Sequence, residues 1–260
     1  MAAPDALSGL LGQALPFGLS QGGALWLALA FFGAGLVRGY SGFGFSALVV
    51  AAAGLVTHPL NLVAVVTALE AAMSLQVWRR ARGAVDWPRV RQLMAGAVIG
   101  LPIGLWLLTG LSEDAARAAI SGYVLAMCAV LWAGWRLPAM LGPGATAGVG
   151  LLSGISNGPG MGGLPVAAVF AAQPMPAAAF RATLIAYFPL LDLYSAPLYV
   201  WHGLVSWDTL RAIFVALPLA ALGNRIGGRH FFATGPAEFR RFAILLLAVL
   251  SALGLGRAVL

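Results

Sequence analysis

The chain has 260 residues, of which 61% are hydrophobic and only 9% charged. A soluble domain carries roughly a quarter of its residues charged, so this chain lacks the polar groups to cover a water-facing surface and is read as an all-α, polytopic integral membrane protein. Its formal net charge of +7 comes from 15 basic residues that are all arginine. Most of them stand at the ends of apolar segments, as in the cytoplasmic loops of membrane proteins, which removes nucleic-acid binding as the reason for the basic balance.

The stretch from Met1 to Gln21 holds Asp5 and no basic residue, so it lacks the charged start of a cleaved signal peptide. Apolar segments then follow at 22–38, 43–56, 60–78, 90–109, 116–135, 144–157, 162–173, 177–200, 209–224 and 239–256. At about 20 residues per span, this suits a single transmembrane domain over 1–260 with roughly 8 to 10 crossings. The segments 43–56, 144–157 and 162–173 are too short to cross ~30 Å of hydrocarbon as helix. Each ends beside Gly, Pro or Asn, which suggests broken or re-entrant helices. Trp78, Trp87, Trp132, Trp135, Trp201 and Trp207 cluster at segment ends, where indole rings favour the headgroup region. Cys128 lies in an apolar run and reads as a small core residue.

An internal repeat organises these segments. Gly35-Leu36-Val37-Arg38-Gly39 matches Gly150-Leu151-Leu152-Ser153-Gly154 at an offset of 115, and Ser41 then falls on Ser156. Leu69-Glu70 matches Leu191-Asp192 at 122, and Val77-Trp78 matches Val200-Trp201 at 123. Gly100-Leu101-Pro102-Ile103-Gly104 matches Gly223-Asn224-Arg225-Ile226-Gly227, again at 123, and Arg117 falls on Arg240. The repeats cover about 22–138 and 144–257. Five segments in each make the count odd, so the two halves have opposite orientations. The arginines give an independent reading. Arg79, Arg80, Arg82, Arg89 and Arg91 crowd one loop, which is then cytoplasmic. Arg136, Arg225, Arg229, Arg240 and Arg241 fall on the same side, and both termini lie outside. Two inverted repeats are a common plan of secondary transporters.

The chemistry concentrates in two Gly-rich stretches, Arg38 to Gly44 and Ser153 to Gly163. Neither is expected to continue as regular helix, because glycine and proline weaken it. Irregular backbone at membrane depth is tolerated only against protein or a water-filled cavity. The N–H groups opening the next half-helix favour an anion there. The competing reading is close helix packing through Gly35 with Gly39 and Gly150 with Gly154. The two breaks are expected to approach each other near mid-membrane. Arg38, Tyr40, Ser41, Gly42, Gly44, Ser156, Asn157, Gly158, Gly160 and Arg181 form the candidate anion site. Guanidinium forks match sulfonate or carboxylate oxygens, and a charge this deep faces protein or water. For Arg38 and Arg181 the alternative is a side chain snorkelling to the membrane surface.

Glu70 and Asp192 occupy matching positions, each eight or nine residues before a tryptophan, so each falls near mid-span. A buried carboxyl can take and release protons, which makes Asp192 the first and Glu70 the second candidate for proton coupling. Neutralisation by an arginine on a neighbouring helix is the plainer alternative. His58, His202 and His230 fall in turns or segment ends without metal-ligand spacing. No cofactor or metal is therefore expected.

The stretches Gly39-Tyr40-Ser41-Gly42-Phe43-Gly44 and Ser153-Gly154 through Gly163-Leu164-Pro165 resemble the paired glycine-rich signatures of the sulfite exporter TauE/SafE family. The first carries Phe43-Gly44-Phe45-Ser46 where the family often shows a run of glycines. The resemblance implies a bacterial inner-membrane permease for sulfite, sulfonates or other small organic anions, running outward. Its expected partners are the anion, protons, the lipid bilayer and a second copy of the chain in a homodimer. A proton moving inward is expected to add drive to an anion leaving. Two other classes compete. Gly39-Tyr40-Ser41-Gly42 has the GxSG form of an intramembrane serine protease, which would need a base within reach of the serine. A passive anion channel would use the same repeats without coupling.

Overall fold

The computed structural model describes residues 15–230 and 251–256, together with 245, 248 and 249. Among these residues the regular structure is helical: α1 (Gln21–Ser41), α2 (Phe45–Ala53), α3 (Val63–Ala81), α4 (Trp87–Thr109), α5 (Glu113–Ala133), α6 (Pro143–Asn157), α7 (Gly163–Ala172), α8 (Ala177–Trp201) and α9 (Trp207–His230). Residues 251–256 are helical as well. Most of the segment at 239–256, with Arg240 and Arg241, lies outside the described residues. Helices α1, α3, α4, α5, α8 and α9 are long and apolar enough to cross a bilayer.

Capping residues set several starts. The Ser20 hydroxyl accepts from Gly23 N–H at the head of α1, Asp86 from Arg89 N–H at α4 and Ser112 from Ala115 N–H at α5. Each satisfies one amide the first turn leaves unpaired. Glu113 and Asp114 in the first turn of α5 also oppose the positive end of its dipole.

The short helices return towards the end they came from. Trp26 Nε1 near the start of α1 donates to Ala52 O at the end of α2 (2.9 Å). Leu137 N–H, just before α6, donates to Ala172 O at the end of α7 (2.7 Å). The pairs α1–α2 and α6–α7 are therefore helical hairpins, and they open towards opposite ends of α3. At the arginine-rich end, Asp86 pairs with Arg89, which also reaches Leu141 O and Gln173 Oε1 (both 3.4 Å). At the other end, Arg117 Nε donates to Gly54 O just past α2 (3.0 Å), and Phe17 N–H donates to Asp208 Oδ2 (2.8 Å).

Packing between the halves is reciprocal. Helix α1 lies along α9, α6 lies along α4, and α3 lies against α8. Glycine makes the first two contacts possible. A Cβ on Gly35 or Gly39 would strike the Ala220 or Asn224 carbonyl of α9, and one on Gly223 or Gly227 the Phe32 or Leu36 carbonyl of α1. In α4, Gly96, Gly100 and Gly104 meet the carbonyls of Ala147, Leu151 and Ile155. In α6, Gly150 and Gly154, with Gly158 just past its end, meet Leu93, Ala97 and Gly104. Small residues let backbones approach where lipid supplies no hydrophobic drive.

This packing corrects one expectation. Helix α1 continues through Arg38-Gly39-Tyr40 to Ser41, and α6 continues through Ser153-Gly154-Ile155-Ser156 to Asn157. Gly39 and Gly154 stay helical because a neighbouring backbone occupies the space a side chain would fill. The breaks are confined to 42–44 and 158–162. Both breaks meet α8 around Phe188, whose ring lies near the Arg38 guanidinium and fills the space a Cβ on Gly163 would take, while Tyr187 bonds Ser153. On either side of that stretch Arg181 bonds Gly39 O and Tyr199 bonds Asn157 O.

Five indoles expected at segment ends, Trp87, Trp132, Trp135, Trp201 and Trp207, lie exposed on the outside of the bundle. Trp78 stacks edge-on against Trp87. Cys128 is buried among apolar side chains.

Candidate functional site

Arg38 projects from the last turns of α1 into the bundle, where the residue is only 4% exposed. Its Nη1 pairs with Glu70 Oε1 of α3 at 2.6 Å. Its Nη2 donates to Ser74 Oγ (2.7 Å) and lies 3.4 Å from the Glu70 carbonyl. Its guanidinium carbon sits 5.9 Å from the centre of the Phe188 ring of α8, an arrangement that stabilises a desolvated cation. Three helices thus share one charge, and a buried pair of this kind is held only because each partner satisfies the other.

Arg181, in the second turn of α8, stands beside the same break. Its Nη2 donates to Gly39 O at 2.9 Å, and its Cγ packs where a Cβ on Gly42 would sit. The guanidinium groups of Arg181 and Arg38 are close enough to repel. Gly42 and Gly44 turn the chain with φ of 85° and 91°, a left-handed conformation that glycine adopts without strain. Ser41 Oγ lies 2.8 Å from both the Val37 and Phe43 carbonyls and accepts from Phe43 N–H. Tyr40 is buried.

The second break is tied by its own polar groups. Asn157 Oδ1 accepts from Gly162 N–H (3.2 Å), and Tyr199 OH donates to Asn157 O (2.6 Å). Ser153 Oγ donates to Gly162 O (2.6 Å) and accepts from Tyr187 OH (2.8 Å). Ser156 Oγ donates to Leu152 O of its own helix (2.8 Å). Gly158 lies against Gly104, and Gly160, with φ of 75°, against Val63 and Val66 at the start of α3. The amide of Gly162, one of those expected to face an anion, is thus bonded to Asn157.

Between the breaks, Asp192 is buried at 5% exposure on α8. Its Oδ2 has no hydrogen-bond partner among the described residues. Glu70 and Arg38 are its electrostatic neighbours. Towards the second break lie Ser195 and Tyr199, with Thr67 of α3 beside the Tyr199 hydroxyl. Arg38, Glu70, Arg181 and Asp192 are therefore gathered around the first break and the α3–α8 contact. Ser156, Asn157, Gly158 and Gly160 lie at the second break, which reaches the same region where Phe188 packs on Gly163 and Tyr187 bonds Ser153.

Sequence reasoning missed Thr67, Ser74, Phe188, Ser195 and Tyr199. A signal was present. Thr67, Glu70 and Ser74 follow one another at three and four residues, and so do Asp192, Ser195 and Tyr199. That spacing puts each trio on one helix face, a polar stripe inside an apolar span.

Searches of curated proteins and of solved structures return no match. The family described as sulfite exporter TauE/SafE matches residues 27–254. That match runs from α1 to the helical residues at 251–256, and the chain belongs to the sulfite exporter TauE/SafE family of membrane transporters.

Proposed function

We propose that the chain is a secondary transporter that exports small anions such as sulfite, sulfonates or organic carboxylates across a bacterial inner membrane, coupled to protons. The observation that carries this reading is the buried Arg38 beside a glycine break, with a second guanidinium at Arg181 and two carboxyls within reach. Permanent positive charge at membrane depth marks ion pathways. A channel needs no buried acid, whereas Glu70 and Asp192 supply two. The reciprocal packing of α1 on α9 and α6 on α4, with hairpins opening to opposite ends, supports two inverted repeats working as alternating gates. In this reading the arginine-rich end is cytoplasmic and both termini are outside.

The test is flux of labelled sulfite, sulfoacetate and acetate in proteoliposomes, with and without a pH gradient. Flux unaffected by the gradient would favour the channel. Arg38→Ala is expected to reduce anion flux roughly 10- to 100-fold, since hydrogen bonds to a charged group contribute about 1.5–3 kcal/mol. It also strands Glu70 as an unpaired buried charge, a loss of about 3–5 kcal/mol, so folded yield falls too. Adding Glu70→Gln to Arg38→Ala removes that charge. The double variant should recover yield and remain inactive. Recovery of flux together with yield would make Arg38 purely structural.

A further inference from the structure

We infer that Glu70 is a built-in substitute for the transported anion, and that anion binding at Arg38 requires Glu70 to take up a proton. The inference rests on the exporter reading above. Arg38 has Glu70 on Nη1, Ser74 and the Glu70 carbonyl on Nη2, and the Phe188 ring near its face. Only 5% of its side chain is accessible. An incoming sulfonate or carboxylate needs the same donors, so it must displace the Glu70 carboxylate.

The displaced group has few places to go. From α8 it faces Asp192 and Tyr199, and from α1 Arg38. Arg181 of α8 is engaged with Gly39 O. Helix α2 brings no titratable residue, and Arg225 and Arg229 of α9 lie exposed. An ionised carboxylate released beside Asp192 would stand buried and unpaired, which is the costly outcome. The balance is therefore simple. The anion takes the ion pair with Arg38, Glu70 gains one proton, and the net charge of the site is unchanged for a monoanion. On release, Glu70 loses the proton and closes back onto Arg38. Anion and proton then travel together, in place of the exchange expected from the sequence.

The test uses the full chain in detergent with methanesulfonate, whose charge is constant over the working pH range. Its dissociation constant is measured across pH for the parent and for Glu70→Gln. The parent should bind about tenfold more tightly for each unit of falling pH, as the linkage of one proton to one anion requires. Glu70→Gln should bind tightly with no slope, because its neutral amide yields Arg38 at any pH. In case that variant misfolds, proton uptake by the parent is followed in weakly buffered solution, where one proton should enter per anion bound. Binding by the parent without slope or proton uptake overturns the inference and leaves the exporter reading standing. A slope retained in folded Glu70→Gln overturns it likewise. Failure of methanesulfonate, sulfite and acetate alike to bind either protein overturns both.

Discussion

Replacing Asp192 by Asn is expected to leave the protein folded and able to bind its anion while abolishing the response of flux to an imposed pH gradient. The side chains are nearly the same size, so the packing around α8 should persist. The carboxyl has an oxygen with no partner. An amide there leaves one unsatisfied donor, at most about 1–3 kcal/mol. What changes is chemistry, since the amide has no proton to exchange. Asp192 stands between Glu70, which holds Arg38, and the Tyr199–Asn157 contact at the other break. A proton leaving Glu70 towards that break meets Asp192 first. Pro189 and Pro197 flank it on α8, and each removes a backbone hydrogen bond and frees a carbonyl nearby. In vesicles, an acidic lumen should speed exit of labelled anion through the parent and have no effect on the variant. Without that relay the proton on Glu70 cannot leave, so exit down a preset anion gradient should also fall in the variant, while anion binding and its pH slope persist. Equal acceleration by the gradient in both proteins would make Asp192 structural.

Much of the fold was legible from apolar runs alone, because a bilayer forces its spans into helix. Helices α4, α5 and α8 begin or end within a few residues of the segments read at 90–109, 116–135 and 177–200. The glycine pairs were legible as a repeat, but their meaning was not. Gly100 and Gly104 match Gly223 and Gly227 in sequence, yet each pair packs on the opposite half, against α6 and α1. A local reading treats glycine as a helix breaker. Here most of these glycines are contact points inside unbroken helix, and within the two Gly-rich stretches only Gly42, Gly44 and Gly160 take left-handed angles.

The site divides in the same way. Glu70 and Asp192 stood out because a carboxyl in an apolar span is costly and rare. That Arg38 closes onto Glu70 required knowing that the fold brings the end of α1 within side-chain reach of α3, since 32 residues separate the two. How the breaks meet was hidden for a related reason. Segment lengths fix how far a helix runs, but not where along α8 each hairpin tip is held. Both tips lie against α8, and polar side chains there form one seam, from Arg181 and Arg38 through Glu70 and Asp192 to Tyr199 and Asn157.

The α4–α6 contact is where a single methyl group should do most harm. Gly154→Ala would set its Cβ against the Ala97 carbonyl and the Leu101 amide, both backbone atoms of a rigid helix. Neither can turn aside as a side chain would. The helices must separate, and the neighbouring contacts at Gly96, Gly100, Gly150 and Gly158 loosen together. In water a looser seam would still be driven closed by apolar burial. In lipid the drive is van der Waals contact itself, which falls off within an ångström of gap. Overpacking of a tight core costs about 1–3 kcal/mol, and Gly154→Leu should exceed that and abolish folded yield. Gly148 lies on the same helix with open space around it, so Gly148→Ala should behave as the parent or slightly better, by the greater helix preference of alanine. Size-exclusion profile and thermal stability in detergent measure both. Equal stability of Gly154→Leu and Gly148→Ala would mean that α4 and α6 do not touch through their backbones. The effect should reach function even where some Gly154→Ala protein folds. Helix α6 ends at the second break three residues on, so a shifted α6 moves Asn157 away from Tyr199, and with it the far end of the polar seam.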